Sequence, residues 1–477
     1  MQRWSKLAPI AAAVTLAFTA GTAPSTSPIV STAAAASPSK GTTPDWARPA
    51  SITTYEKLQL LSDTQLTDRM HELIFQTPYL DTPTSVRVLL PAPGLRVPGK
   101  RYPSLYLLHG CCDPAPQSRG WTVKGGAEEA TAEDSMIVVM PEGGMGGFYS
   151  DWYNNGAGGN PRWESYIIGQ LIPWIDGHYA TSTDRSQRAI AGLSMGGYGA
   201  LSLAARHPDT FVSASSFSGA VDSNAYLGAS STVDDVLGTQ DGQFPDSVYG
   251  PRATEEVRWR GHNPVDLAEN LRGMSLQIRT GNGLPGPLDT PDTLAGGSVE
   301  TYVYPQNLNL HDRLNNLGIT HLWDDYGPGT HSWAYWKRDL IDTLKTLRQV
   351  FAEPTALPDE LSFTSVEPTF QAYGYVVRTT RKAAEFATLE GITANGFRLT
   401  GSGGATVTTA PRYKPGASYR ISTVTSQGES NMTVQRADTR GNLTIALGLG
   451  PSNTVQQYQV HGLLRSSVTA TVTISPV

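Results

Sequence analysis

Residues 189–201 read "AIAGLSMGGYGAL", and this stretch decides how the chain is built. A short apolar run ends at Gly192, Ser194 stands between Gly192 and Gly196, and small residues follow. The run predicts a buried strand and the residues after it predict a helix, so Ser194 falls on the turn between them. A strand that leads directly into a helix is the repeating unit of α/β folds.

The Gly-x-Ser-x-Gly spacing around Ser194 gives this turn a chemical interpretation. When such a turn joins a buried strand to a helix, the serine hydroxyl is exposed at the end of the sheet and can act as a nucleophile. Glycines on both sides leave room for a close backbone approach and for a substrate. A glycine-rich turn without a chemical role is the alternative, because so short a pattern also arises by chance.

The segments around this stretch repeat the same alternation between about residue 51 and residue 351. Apolar runs predict buried strands in "SLYLLHG" (104–110), "SMIVVMPEG" (135–143), "RAIAGLS" (188–194), "FVSASSFSGAV" (211–221) and "SLQIRTGNG" (275–283). Helices are predicted over 162–179, 196–208 and 333–351. The alternation predicts a mostly parallel sheet in a three-layer α/β sandwich, with function at the carboxyl ends of its strands.

The N-terminal segment has the composition of an export signal. Arg3 and Lys6 precede the apolar stretch "LAPIAAAVTLAFTA", and small residues follow as far as "STAAAAS". This pattern predicts a secretory signal peptide over 1–36, followed by a disordered Ser/Pro/Thr-rich linker over 37–50. A membrane anchor is the alternative, but the stretch is shorter than the ~20 apolar residues that span a bilayer. We therefore expect a secreted protein, extracellular or associated with the cell wall.

The C-terminal part of the chain has a different composition and a different hydrophobic period. The segment "AEPTALPDE" (352–360) predicts a linker, and runs such as "SYRISTVT" and "SVTATVTISPV" alternate with period two beyond it. The runs predict an antiparallel β-sandwich over 361–477. No cluster of titratable residues marks a site there. The role of the sandwich stays open: it could be a spacer, contact carbohydrate, attach the protein to the cell wall or be a purely structural appendage.

Composition narrows the range of partners. The formal net charge of -6 gives no basic surface for nucleic acid, so we expect no nucleic-acid partner. The two cysteines, Cys111 and Cys112, are neighbours and cannot link distant segments. Two free thiols are the favoured state, and a ring between the two sulfurs that locks the surrounding turn is the alternative. Metal-binding Cys-x-x-Cys spacing is absent, so we predict no metal and no other cofactor.

A nucleophilic serine needs a histidine base and a carboxylate that orients it. In chains with this kind of serine turn the acid and then the histidine follow the serine. His331 lies in "YGPGTHSWAYW", a glycine-rich loop before the last predicted helix, where such a base is expected. His321 is the alternative base, His207 is predicted to cap a helix, and His262 and His311 also follow the serine. From the residues alone the acid stays open among Asp289, Asp292, Glu300 and Asp312.

Four separated motifs carry a resemblance to a known family. They are "VVMPEGGMGGFYSDWY" (138–153), "RWES" (162–165), "AGLSMGG" (191–197) and "GTHSWAYW" (329–336). In this order, residues 100–350 resemble the antigen 85 mycolyltransferases and their esterase relatives. The resemblance implies an α/β-hydrolase fold and a serine enzyme that forms an acyl-enzyme from an acyl ester or glycolipid. Water or a sugar alcohol would receive the acyl group.

The resemblance also implies roles for individual residues. Ser194 is the nucleophile, Glu300 the acid and His331 the general base, with Asp289 as the runner-up acid. The backbone N–H groups of Cys111 and Met195 form the oxyanion hole. The implied substrate pocket is lined by Cys112, Asp222, Tyr302, Ser332 and Trp333. Its walls would include Tyr149, Trp152 and Tyr153 unless these rings serve core packing.

The sequence departs from the mycolyltransferases at the turn after the predicted strand 104–110. His109 and Cys112 stand where those proteins carry an aspartate and an arginine that hold trehalose, and "NNGAGGNPRW" lacks their disulfide cysteine. The departures favour a general esterase over a trehalose mycolyltransferase. A non-catalytic binding protein or adhesin is a third interpretation, against which the complete set of Ser194, Glu300 and His331 argues.

Overall fold

The computed structural model describes residues 58–113, 115–225, 246–459 and 465–477, with the isolated residues 233, 236 and 243. The signal peptide and the linker predicted over 1–50 lie outside these residues. The described residues belong to one compact unit. No helix among them combines the length and the apolar character needed to cross a bilayer.

Nine strands within the described residues form one sheet. They are β1 (Gln59–Gln65), β2 (Met70–Gln76), β3 (Thr84–Leu89), β4 (Ser104–Leu108), β5 (Ile137–Pro141), β6 (Arg188–Leu193), β7 (Ser213–Phe217), β8 (Ser275–Thr280) and β9 (Leu322–Asp325). Their order is β1-β2-β3-β5-β4-β6-β7-β8-β9. The pairs β1–β2, β2–β3 and β3–β5 are antiparallel. All the following pairs in this order, from β5–β4 to β8–β9, are parallel. The predicted α/β class with a mostly parallel sheet is confirmed.

Helices connect and cover these strands. Over the described ranges the α-helices are α1 (Gly120–Val123), α2 (Ala127–Ala130), α3 (Trp163–Tyr166), α4 (Ile172–His178), α5 (Met195–Arg206), α6 (Arg252–Arg260), α7 (Gly296–Asn316) and α8 (Trp333–Ala352). Short 3₁₀ turns lie at Pro93–Leu95, Gln117–Arg119, Asn154–Gly156, Arg185–Gln187, Ala268–Leu271 and Pro291–Thr293.

Alternate residues of the parallel strands face two separate cores. Tyr106 and Ile190 pack into a core that includes α4 and α5. Their neighbours Leu105 and Ala191 pack into a second core that includes α8. Successive side chains of a strand point to opposite faces, so both faces of the sheet are covered by helices. The result is the predicted three-layer arrangement.

The helix predicted over 162–179 is divided into three helical segments. A five-residue π-helical turn, Ile167–Leu171, separates α3 from α4. Pro173 stands at the start of α4 and has no N–H to donate to the preceding turn. The altered spacing of hydrogen bonds in the π-turn lies just before this residue.

The C-terminal strands form two antiparallel sheets around a shared core. They are β10 (Leu361–Ser365), β11 (Thr369–Ala372), β12 (Tyr375–Thr380), β13 (Ala387–Thr393), β14 (Gly396–Gly401), β15 (Gly403–Thr408), β16 (Ser418–Thr425), β17 (Ser430–Arg436), β18 (Thr444–Leu449) and β19 (Val468–Pro476). One sheet has the order β10-β13-β14-β19-β16-β17 and the other the order β11-β12-β15-β18. Phe363, Val377, Leu389 and Val407 are among the buried residues of the common core, consistent with the predicted β-sandwich.

One buried asparagine ties this sandwich to α5. Asn270 Nδ2 donates hydrogen bonds to Ala205 O at 3.0 Å and to Thr364 O at 2.9 Å. The Thr364 N–H donates back to Asn270 Oδ1 at 2.9 Å. Ala205 lies in the last turn of α5 and Thr364 lies in β10, so the sandwich contacts the C-terminal end of the helix that follows Ser194.

Candidate active site

The turn at Ser194 has a backbone conformation that non-glycine residues rarely adopt. Its φ is +52° and its ψ is -120°, and such strained residues concentrate at functional sites. The Ser194 N–H donates to Phe217 O at 2.8 Å, which fixes the turn to the end of β7. A methyl group at Gly196 would lie 2.5 Å from His109 O. Only glycine at this position lets α5 pack so closely on the end of β4.

The acid and the base predicted by resemblance are in direct contact. Glu300 Oε2 and His331 Nδ1 are 2.7 Å apart, and the Glu300 side chain is fully buried. Because a carboxylate accepts hydrogen bonds, Nδ1 of His331 is the donor and Nε2 of the neutral ring is left as an acceptor. This is the tautomer that a general base needs toward a serine hydroxyl.

Three further donors hold the other oxygen of the same carboxylate. Glu300 Oε1 accepts from Ser218 Oγ at 2.8 Å, from Thr280 Oγ1 at 3.0 Å and from the Gly281 N–H at 2.8 Å. A buried carboxylate with this many donors is fixed in one orientation. Glu300 therefore presents Oε2 to His331 and nothing else.

The alternative acids lie elsewhere. Asp289 accepts from the Gly286 N–H at 2.7 Å and from Tyr335 Oη at 3.0 Å, and it also bonds to the hydroxyls of Thr293 and Thr330. Asp292 and Asp312 are exposed. Of the four carboxylates left open by the sequence, the structure brings Glu300 to His331.

The alternative histidines also have other partners. His321 Nε2 lies 2.7 Å from His311 Nδ1. His207 Nε2 lies 2.8 Å from Glu164 Oε1 rather than in a simple helix cap. His262 Nδ1 donates to Arg258 O at 2.8 Å.

Ser194 and His331 lie at the same edge of the sheet. Ser194 follows β6, Ser218 follows β7, Gly281 follows β8, and His331 lies between β9 and α8. The segments after the carboxyl ends of neighbouring parallel strands thus carry Ser194, His331 and the groups that hold Glu300. Within the part of the chain that the structure describes, no hydrogen bond joins Ser194 Oγ to His331. The serine is brought to this edge but not bonded to the base.

The turn after β4, where the first oxyanion donor is predicted, packs against the serine. A methyl group at Gly110 would lie 3.2 Å from Ser194 Cβ. His109 Nδ1 donates to Gly110 O at 2.7 Å, and the Gly143 N–H donates to His109 Nε2 at 2.8 Å. Burial lowers the pKa of His109 to about 4, so the ring is neutral at neutral pH. By holding the Gly110 carbonyl, His109 orients the peptide whose N–H belongs to Cys111.

The other residues predicted for the oxyanion hole and the pocket walls lie in or beside this turn. Tyr149 Oη donates to His109 O at 2.8 Å, so this ring supports the turn from behind. Met195 is buried in the first turn of α5, next to Ser194. Cys111 and Cys112 are half-buried.

The expectation of two free thiols is wrong. Cys111 and Cys112 are joined by a disulfide between adjacent residues. The backbone of Cys112 has a φ of +76°, and this turn brings the two sulfurs together. The alternative that the sequence left open, a ring beside the predicted Cys111 donor, is the state observed.

Asp222, predicted to contact substrate, lies in a buried network of amides. Its Oδ1 accepts from Asn263 Nδ2 at 2.8 Å and from the Asn224 N–H at 3.0 Å. Its Oδ2 accepts from Asn309 Nδ2 at 3.0 Å. The carboxylate anchors the chain after β7, and its role toward a substrate stays a prediction.

The remaining predicted pocket residues lie close to Glu300 or His331 along the chain. Tyr302 is half-buried on α7, two residues after Glu300. Ser332 is buried, and its hydroxyl has no hydrogen-bond partner among the described residues. Trp333 packs edge-on against Trp121 at a centroid distance of 5.3 Å. The arrangement puts a free hydroxyl and aromatic surface next to the base.

Sequence reasoning missed Ser218 and Thr280, the two hydroxyls that hold Glu300. Each lies three residues before the end of a predicted strand, "FVSASSFSGAV" or "SLQIRTGNG". Polar residues at the carboxyl ends of buried strands were the available signal. Among all the residues that the structure describes, no group of three or more His, Cys, Asp or Glu side chains is arranged to hold a metal ion.

The chain belongs to the esterase family. Residues 77–347 match the family model described as "Putative esterase". Esterase Rv1288 of Mycobacterium tuberculosis H37Rv is 35% identical over 265 residues, which cover 54% of each chain. The match thus spans about half the length of that relative.

Relatives also include the antigen 85 proteins, which confirms the resemblance. The diacylglycerol acyltransferase/mycolyltransferase Ag85B of Mycobacterium leprae is 32% identical over 260 residues, covering 52% of this chain and 77% of that protein. Among solved structures, Mycobacterium tuberculosis MPT51 (FbpC1) is 20% identical, with a TM-score of 0.49 over 58% of this chain and 96% of that one.

Proposed function

We propose that the protein is a secreted serine carboxylesterase or acyltransferase of the α/β-hydrolase type, with Ser194, Glu300 and His331 as its triad. The observation that carries the proposal is the 2.7 Å contact between the buried Glu300 and His331, at the strand edge where Ser194 occupies its strained turn. A nucleophile, a base and an acid that orients the base are the parts that acyl transfer requires.

The mechanism follows from these positions. His331 Nε2 takes the proton of Ser194 as Oγ attacks the ester carbonyl, and Glu300 stabilises the imidazolium that forms. The tetrahedral oxyanion accepts hydrogen bonds from the N–H groups of Cys111 and Met195. The alcohol leaves with the proton from His331, and an acyl-enzyme remains on Ser194. A second hydroxyl compound then gives its proton to His331 as it attacks the acyl carbonyl, and His331 returns that proton to Oγ as Ser194 leaves.

Water is the acceptor that the turn after β4 favours. Both ring nitrogens of His109 are used in backbone hydrogen bonds. This side chain therefore lacks the free acceptor that an aspartate at the same position offers to a sugar. Acyl transfer to a sugar alcohol is the second candidate, since the antigen 85 relatives are named as acyltransferases and mycolyltransferases. One acyl ester assayed with and without trehalose separates free acid from acylated sugar.

The direct test combines turnover with covalent labelling. Purified protein is incubated with p-nitrophenyl esters of increasing chain length, beside Ser194→Ala and the exposed control Ser430→Ala. Loss of a nucleophile that acts as part of a triad lowers kcat by roughly 10⁴-fold or more, so Ser194→Ala should be inactive and the control unchanged. A fluorophosphonate should modify the peptide that carries Ser194. Unlabelled protein without turnover would favour a non-catalytic binding protein.

A further inference from the structure

A cavity of about 610 Å³ lies at the other end of α5. Trp152, Arg206 and His262 line it from the α/β part, and Glu367 and Phe370 line it from the sandwich. Ser194 precedes the first residue of α5 and Arg206 is the last, so the helix separates them by roughly 18 Å. The cavity is therefore distinct from the proposed active site.

Most of the charged groups around this cavity are paired with one another. Arg206 Nε lies 3.0 Å from Glu164 Oε1, and Arg206 Nη2 lies 2.9 Å from Glu367 Oε1. Arg162 Nε lies 3.2 Å from Asp151 Oδ2. An ionic ligand would have to break one of these pairs and leave its partner uncompensated in a buried place. The lining therefore selects against charged ligands.

A buried histidine on the wall still has a free hydrogen-bonding atom. His262 is 3% exposed, and its Nδ1 donates to Arg258 O at 2.8 Å. Burial, with the charge of Arg206, lowers the pKa of His262 to about 4. Nε2 of this neutral ring is thus an acceptor, and it has no partner among the described residues. A ligand hydroxyl can satisfy it.

Aromatic rings complete the lining. Trp152 comes from the segment after β5, and Phe370 comes from β11. Such rings offer apolar faces beside polar groups, the combination found where a ligand carries both C–H surface and hydroxyls. The volume lies within the range of small-molecule sites and corresponds to about two or three sugar rings.

We propose that this junction cavity binds a short neutral oligosaccharide, as a free molecule or as the end of a longer glycan. Its hydroxyls would donate to His262 and share the rim with the paired charges, and its C–H surface would contact the exposed edges of Trp152 and Phe370. The proposal does not depend on the chemistry at Ser194. It gives the sandwich a function, since the site exists only where the sandwich meets α5.

The test fills the cavity without disturbing the fold. Gly169 lines the cavity, and a Cβ at this position would meet no atom within 4 Å. The same holds for Gly94, which lies outside the cavity. Gly169→Phe is therefore the blocking variant and Gly94→Phe its matched control. Thr369→Trp, at an exposed lining position on β11, blocks from the sandwich side should Gly169→Phe fail to fold.

Full-length protein is titrated calorimetrically with trehalose, maltotriose, cellotriose and N-acetylchitotriose. Co-sedimentation with insoluble cellulose and chitin then distinguishes free sugars from glycan ends. We expect at least one probe to bind, with affinity at least about tenfold weaker in the blocking variant and unchanged in Gly94→Phe. The proposal is overturned if no probe binds, or if binding persists equally in folded Gly169→Phe and Thr369→Trp.

A second arm separates this site from the proposed active site. The titration is repeated after Ser194 has been blocked with a long-chain alkyl phosphonate, or on Ser194→Ala if the serine does not react. Binding that continues places the sugar at the junction. Binding that the phosphonate abolishes places it at Ser194 and overturns the proposal, whereas a failure of ester turnover leaves this measurement intact.

Discussion

Glu300 and His331 are held together twice, by side chain and by backbone. Their side chains meet at 2.7 Å, and the His331 N–H donates to Gly296 O, one turn before Glu300, at 3.2 Å. A methyl group at Gly296 would lie 2.7 Å from His331 O. The loop that carries the base is thus packed on the first turn of α7. The base is oriented before any substrate arrives.

Glu300→Gln should leave the fold intact and remove most of the activity. The amide keeps the size of the side chain but loses the charge that stabilises the imidazolium, and losses of roughly 10³- to 10⁴-fold in kcat are typical of such changes. Turnover of a p-nitrophenyl ester measures this. Asp292→Asn, the matched change at an exposed carboxylate, should be neutral. An equal loss in both variants would contradict the assigned acid.

Glu142→Gln should make the protein less sensitive to alkaline pH. Burial raises the pKa of Glu142 from 4.5 to about 7. Between these values the unfolded chain releases the proton and the folded chain keeps it, so stability is lost as pH rises. Above pH 7 the raised pKa lowers the free energy of unfolding by about 3 kcal/mol.

Urea unfolding at pH 4.5 and pH 8 measures that difference for wild type and variant. The advantage of Glu142→Gln should be larger at pH 8. Other titrating groups, such as His109, act in both proteins and cancel in the comparison. Glu353→Gln, at an exposed position, should show no pH-dependent difference. A constant difference between Glu142→Gln and wild type at both pH values would refute the assignment.

Glu164→Gln should destabilise the junction between α5 and its neighbours. Burial favours the neutral acid, but the charges of Arg206 and His207 outweigh it and hold the pKa of Glu164 well below its usual range. Removing one partner of a buried pair costs about 3 kcal/mol or more. The difference in free energy of unfolding between wild type and Glu164→Gln should be present at pH 7. It should shrink at acid pH, where Glu164 of the wild type becomes protonated.

The matched control for that change is an exposed ion pair. Arg398 and Glu390 lie 3.2 Å apart across β13 and β14, with both side chains in contact with solvent. Glu390→Gln should alter the free energy of unfolding by about 0.5 kcal/mol or less. Similar losses in both variants would mean that burial does not strengthen the Arg206 pair.

The disulfide between Cys111 and Cys112 should leave no thiol for alkylation. Iodoacetamide should modify neither residue of the denatured, unreduced protein and both after reduction. Because Cys111 also supplies a proposed oxyanion donor, reduction should lower kcat. Ester turnover before and after mild reduction measures this effect, and modification without reductant would show that the ring is open.

Most of the fold was predictable because its parallel strands are short apolar runs followed by turn residues. The run 188–194 forms β6, and the predicted helix over 333–351 is observed as α8. The helix α7 was not predicted. It begins with two glycines and contains Pro305, which local propensity disfavours. Packing on the loop that carries His331 outweighs that preference.

The site was predictable only in part. Ser194 and His331 follow from the order of motifs and the loops that carry them. The acid does not. Asp289 and Glu300 are close to each other in sequence, and the choice depends on which of the two carboxylates the fold brings to His331. The state of the two cysteines depends on the turn at Cys112, which composition does not specify.

Asn270 has consequences for how such proteins can be recombined. Its amide is committed on one side to the end of α5 and on the other to both backbone groups of Thr364. A chimera with a different C-terminal module would leave Oδ1 and one N–H of this amide without partners unless the incoming strand offered a free N–H and C=O at the same place. The residue therefore restricts exchange of modules to those that dock by an exposed strand backbone.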